Sequence, residues 1–238
     1  MRTMPEDIVP ELLEKIKRTF QRNLAKNRKI KSIQKKVDKG TATHIDSEKY
    51  GIEVGKCLAD SFQENLSSEA LPDGKMYYNI SERIVNDRLH ENHRIIHENT
   101  KKINRQLAKE ANININVDSP VNQERIDDII NKISTAETFD DIKRVLDAPV
   151  INFSQSVVDD FIQANADFQY KAGMRPKITR IVTGHEPCEW CKGLGGVYDY
   201  PNVNRDIYRR HDNCRCLVDY HPGDGRVQNV HIVKKEHI

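Results

Sequence analysis

Four of the chain's five cysteines fall within 29 of its 238 residues: Cys188, Cys191, Cys214 and Cys216. His211 stands three residues before Cys214, so the pattern reads C-x2-C, nineteen residues, then H-x2-C-x-C. Two thiols on one knuckle can reach a single ion while N–H groups of the turn offset their charge. A second pair from a distant hairpin completes a tetrahedron at Zn–S distances of about 2.3 Å. A strand over 214–218 would point Cys214 and Cys216 to one face. His211 then either supports the ligands or replaces a thiolate, and spacing alone leaves five candidates for four places. Four protein ligands leave no position for water, so the expected cofactor is a structural Zn2+. Three other readings compete. Two disulfides are disfavoured in a reducing compartment. A thioredoxin-type motif needs a strand-to-helix junction, where this chain has Gly193, Gly195 and Gly196. Unliganded buried thiols are the third. Cys57, in GKCLADSF, reads as a small packed hydrophobe.

The rest of the chain is written for helices. From Val9 the apolar residues fall at Leu13, Ile16, Phe20, Leu24, Ile30, Ile33 and Val37, with Asn27 filling the one gap. The mean step is about 3.5 residues, a narrow stripe on one long helix. Such a stripe cannot bury itself, and we expect Leu13, Ile16, Phe20 and Leu24 to dock on a partner. Helices are also expected over about 47–67, from 79 to about 110, and over 122–133, 138–146 and 154–172. Asn122, Thr138 and Ser154 are their cap candidates. LPDG at 71–74 is a turn, and Gly173 a helix stop. Then the texture changes: Lys177–Thr183 alternates like a strand, and glycines and aromatics concentrate. Three regions follow: a basic helical docking arm (1–46), a helical body (47–173), and a zinc-binding α+β module with a polar tail (174–238). The fold class is mainly α, an elongated helical body followed by a small zinc-stapled α+β C-terminal module.

Charge supports that division. Residues 1–40 carry 12 Lys/Arg against 5 Asp/Glu, residues 171–238 carry 12 against 8, and the stretch between them 14 against 23. A basic arm attracts nucleic acid or an acidic protein surface, or simply solvates a helix face. Apolar residues are 37% and charged residues 31%, with a mean hydropathy of -0.73, which disfavours one large enzyme core. No apolar run approaches the roughly 18 residues of a membrane span. The first twenty residues lack the apolar stretch of a signal peptide, so a reducing site of synthesis is expected.

The segment KITRIVTGHEPCEWCKGLGGVYDY…YRRHDNCRCLVDY resembles the C-terminal part of the phage Mu F-like minor head (head morphogenesis) proteins. The matched positions are Cys188, Cys191, Leu194, Gly196, His211, Asn213, Cys214, Arg215 and Cys216. Residues 154–172, with Ala164, Asn165, Ala166 and Phe168, look like the helix preceding that motif. The match covers roughly 65 residues; the helical body is similar only in texture to minor capsid proteins of Gram-positive phages. Where the family often has Pro between the His and the Asn, this chain has Asp212. The resemblance implies a phage-head component in few copies, made in the host cytoplasm and carried in the virion. Its implied partners are portal and capsid proteins, with packaged DNA a further contact, and its role head assembly or DNA ejection. It implies no membrane and no small-molecule substrate.

Two weaker constellations compete. His185, His211, His221, His231 and His237 beside Arg209 and Arg210 suggest a virion-carried nuclease-like effector using general acid–base chemistry. Tyr208-Arg-Arg-His offers phosphate contacts for a zinc-dependent nucleic-acid-binding protein. His90, His93 and His97 share one helix face, read chiefly as a satisfied polar stripe. The nucleotide-binding and common hydrolase motifs are missing, so the expectation is a structural protein without catalytic residues.

Overall fold

A computed structural model describes residues 7–110, 115–184 and 186–223. It is mainly helical, with one small antiparallel sheet. The first helix, α1 (Val9–Lys26), carries Pro10 and Glu11 in its opening turn, where a missing N–H and a negative charge are tolerated or favoured. The expected single helix to Val37 is two. Asn27 leaves helical geometry at φ -69° and ψ 114°, and its side-chain oxygen accepts from the amides of Lys29 and Ile30 at 2.9 and 3.1 Å. That cap starts α2 (Arg28–Asp38).

The docking stripe is corrected as well. Val9, Leu12, Ile16 and Phe20 form the buried face of α1, and Ile16 and Phe20 are 0% and 1% exposed. Leu13 and Leu24 are half-buried at its edges, packed on the same core. The stripe closes on α3 (His44–Asn65) and on the Glu82–Asn86 turn of this chain. Each such side chain gains about 1.5–3 kcal/mol from burial, so the arm's apolar face belongs to the protein's own core.

Helix α3 starts with a Thr43/Asp46 capping box, three residues ahead of its expected start, and runs through the centre of the molecule. Next come α4 (Tyr78–Ser81), a π turn at Glu82–Asn86, and α5 (Asp87–Glu110). Then α6 (Gln123–Ser134), α7 (Phe139–Lys143) and α8 (Asp147–Lys171) follow. Asn122 and Thr138 cap α6 and α7 as expected. Ser154 caps nothing: α8 begins seven residues earlier, because Pro149 fits a first turn. Ser154 instead lies fully buried where α3 and α8 cross, its hydroxyl 2.8 Å from the carbonyl of Val150. Gly51 and Gly55 permit that crossing. A Cβ at Gly51 would sit 2.9 Å from the Ser154 carbonyl oxygen, and one at Gly55 2.6 Å from its Oγ.

Gly173, at φ 86°, ends α8 and turns the chain into β1 (Lys177–Ile181). After α9 (Glu189–Leu194) come β2 (Gly196–Asp199) and β3 (Leu217–His221), in the order β2-β1-β3. Ile178 stands opposite Tyr198 on one side and Tyr220 on the other. The strand expected over 214–218 starts only at Leu217, so Cys214 and Cys216 lie in the loop before it.

One hydrophobic cluster runs from Val9 through α3, α5, α6 and α8 to Ile178, Ile207, Val218 and Tyr220. The sheet therefore packs on the helices rather than on itself. Among the described residues no helix is long and apolar enough to cross a membrane.

Candidate metal centre

The knuckle forms where β1 hands over to α9, so the strand-to-helix junction that Gly193, Gly195 and Gly196 were expected to preclude is present, with a helix of only six residues after it. Cys188 is the N-cap of α9, its sulfur accepting from the Cys191 amide at 3.4 Å. One turn on, Cys191 is 2% exposed and points inward. Gly195 lets the chain pass back under β1, since a Cβ there would meet Val182 Cγ2 at 2.7 Å.

The second half comes from the loop before β3. His211 Nδ1 donates to the Asp212 carbonyl at 2.6 Å, which leaves Nε2 as the free ligand atom. That nitrogen lies 3.4 Å from Cys188 Sγ and 3.1 Å from Cys191 Sγ. Asn213 takes the left-handed conformation at φ 62°, and the Cys214 amide bonds back to the His211 carbonyl at 3.1 Å. The turn brings Cys214 Sγ to 3.9 Å from Cys191 Sγ. Cys214 and Cys216 are both 2% exposed.

All five sequence candidates thus come together, as two overlapping triplets. Cys188, Cys191 and His211 form one, and Cys191, Cys214 and Cys216 the other, each with its ligand atoms within 4.8 Å of one another. Cys191 is the shared corner. A tetrahedral ion with ligands at about 2.3 Å has ligand–ligand edges near 3.8 Å, and the 3.1–3.9 Å separations suit that size. The cluster is compatible with a metal site.

Without metal the thiols divide their protons. Hydrogen bonding to Cys216, then burial, pushes the Cys214 thiol up to about 12. The bond from Cys214 brings Cys216 down to about 7, and burial raises Cys191. A cation bound by these thiols would have to displace the protons of Cys191 and Cys214.

Two arginines that spacing could not reveal hold the cage. Arg180, 2% exposed, bonds to the Ile207 carbonyl, approaches Cys214 Sγ at 3.6 Å, and lies 5.7 Å from the Trp190 ring centroid. Arg210 is the residue before His211, and its side chain is 1% exposed. Its guanidinium meets Asp159 of α8 at 2.8 Å and Glu48 of α3 at 3.0 Å, both fully buried, and donates to the Cys216 carbonyl. Asp159 and Glu48 together outweigh burial and raise the Arg210 pKa, whereas burial drives the Glu48 carboxyl well up. Three further bonds pin the loop: Asn152 to the His211 carbonyl at 2.9 Å, Gln155 to the Cys216 carbonyl at 3.3 Å, and Thr183 to the Arg215 carbonyl at 2.6 Å.

This placement corrects the phosphate-facing reading of Tyr208-Arg-Arg-His. Arg210 is sequestered, Tyr208 is 9% exposed, and Arg209 pairs with Asp206 at 3.0 Å. Of the tail histidines only His211 and His221 are described; His185, His231 and His237 lie outside the described residues. Cys57, 3% exposed, is packed in the main core as expected. Comparison with protein-family models, with curated proteins and with solved structures finds no match to this chain.

Proposed function

We propose that this chain is a phage minor capsid (head morphogenesis) protein, a portal-associated component that acts in head assembly or DNA ejection without catalysis. Its C-terminal module is held by one structural zinc ion. The thiol-rich cage carries the reading. Four sulfurs and one imidazole form a soft donor set that suits Zn2+, and the same positions carry the resemblance to the Mu F-like head proteins. When bound, zinc supplies no chemistry beyond charge and geometry: it fixes the His211–Cys216 loop against α9. The chain's own contribution is to seat that loop on α3 and α8 through Arg210.

His211 offers its free nitrogen to the thiols, and Arg210 is committed to buried carboxylates, which removes support from the nuclease-like alternative. The buried face of α1 is not a partner site, so contacts with portal or capsid subunits use other surfaces.

The test is to purify particles of the encoding phage or prophage and measure both protein and metal. The chain should be present in mature heads at a few copies each, and the isolated protein should hold one zinc per chain. Absence of the chain from particles refutes the head assignment; a zinc-free protein with freely titratable thiols refutes the zinc assignment.

A further inference from the structure

The histidine stripe of α5 is not the satisfied polar face that its spacing suggests. His93 and His97 stand one turn apart, their rings stacked at 5.3 Å between centroids and 16° between planes. His93 is 9% exposed, and the Nε2 atoms of both rings are buried without a hydrogen-bond partner among the described residues. A bare buried ring nitrogen forfeits about 1–3 kcal/mol, and two side by side mark a place where a further group belongs.

The surroundings say which kind of group. Both histidines line an open cleft of about 640 Å3, and from its far wall Asp118 presents Oδ1 to His97 Nε2 at 3.7 Å. Its other oxygen is held by Lys101 at 2.6 Å. Four carboxylates (Asp87, Glu91, Glu98 and Asp118) and three fixed cations (Arg88, Arg94 and Lys101) line the cleft, a balance that admits a cation and discourages an anion. Burial and the neighbouring histidines bring His93 down to about 4, and burial lowers His97 too, so both rings are neutral at physiological pH and ready to coordinate. Two histidines at i and i+4 on one helix face are the spacing with which helices chelate transition metals.

We propose that His93, His97 and Asp118 form a second metal site, for a borderline divalent transition cation of the Zn2+ or Ni2+ class, independent of the thiol cage. The three ligand atoms do not yet converge to within the 4.8 Å that the thiol triplets show. Closing that gap requires rotation about the imidazole χ2 bonds, a soft torsion. His90, one turn earlier, is excluded, because its Nε2 is engaged by Gln123 at 3.0 Å.

The test uses the full chain, zinc-loaded, with histidine side chains isotope-labelled, titrated with Ni2+ alone. The paramagnetic ion should broaden the ring signals of His93 and His97 before those of His44, His90, His211 and His221. His97→Gln should weaken that binding at least tenfold, and Asp118→Asn several-fold, with the zinc content unchanged. Should His97→Gln fail to fold, Asp118→Asn and His93→Gln give the same reading. Broadening that begins at His231 or His237, none at equimolar Ni2+, or broadening that persists in the variants overturns the proposal. None of these outcomes bears on whether the chain belongs to a phage head.

Discussion

Replacing Arg210 by Met keeps most of the side-chain volume and removes the charge that two buried carboxylates share. Breaking a buried ion pair from one side costs about 3–5 kcal/mol, because the remaining charges stay desolvated. Here the loss includes both partners, Glu48 and Asp159, which are 0% exposed, and the bond to the Cys216 carbonyl. We expect urea unfolding of zinc-saturated Arg210→Met at pH 7.5 to show a deficit of about 4 kcal/mol. Zinc release to a chromophoric chelator should be at least tenfold faster, since His211 and Cys216 flank the lost anchor. The deficit should shrink as pH falls from 7.5 towards 5. Burial holds the Glu48 carboxyl above its unfolded value of about 4, and losing Arg210 removes the charge that opposes this. Its penalty is therefore full above the folded pKa and relieved as it takes up a proton below it. Neutralising all three positions (Glu48→Gln, Asp159→Asn, Arg210→Met) should recover much of the loss, as apolar or neutral replacements of buried ion pairs do. A deficit below about 1 kcal/mol together with unchanged zinc release would refute the anchoring argument.

Three further outcomes follow from the packing. Phe20→Ala should destabilise the isolated protein by about 3–5 kcal/mol, lowering Tm by roughly 10 °C in a thermal scan; an unchanged Tm would restore the docking role for the α1 stripe. Gly55→Ala places a Cβ 2.6 Å from Ser154 Oγ, so about 1–3 kcal/mol should be lost and partly regained with Ser154→Gly, and additive effects in that double variant would refute the close-crossing account. Burial raises the Asp160 carboxyl from 3.8 to about 6, which costs the fold up to about 3 kcal/mol above pH 6 and nothing below about pH 4; Asp160→Asn should therefore stabilise at pH 7.5 and lose that gain near pH 4, and a pH-independent gain contradicts the assignment.

The helices and the candidate metal ligands were legible because their signals are local. Apolar periodicity and polar caps such as Asn122 and Thr138 need only a few neighbours, and C-x2-C with H-x2-C-x-C needs 29 residues. Asn27 was misread because it occupies a stripe position while its side chain also makes a good cap, and periodicity weighs only the first. The fate of the α1 stripe was not legible either: the same pattern serves a partner or the chain's own core, and the choice rests with α3. The triad was hidden by distance. Arg210 lies 51 residues from Asp159 and 162 from Glu48, and no local pattern marks a charged residue that will be buried against another so remote.

That separation sets an order of events during folding. The helices from α1 to α8 are complete when the chain has reached Lys171, and all five cage residues are still to come. Helix α3 then presents a buried acid with no cation, and α8 a second one, to whatever faces them. Contacts spanning most of a chain form slowly, because a long loop must close first, and domains emerging from the ribosome organise from the N-terminal side. On that order the Glu48 and Asp159 seat is made before the Arg210 that fills it. The residues after Lys171 close that seat, and the Cys/His cluster forms only when they do.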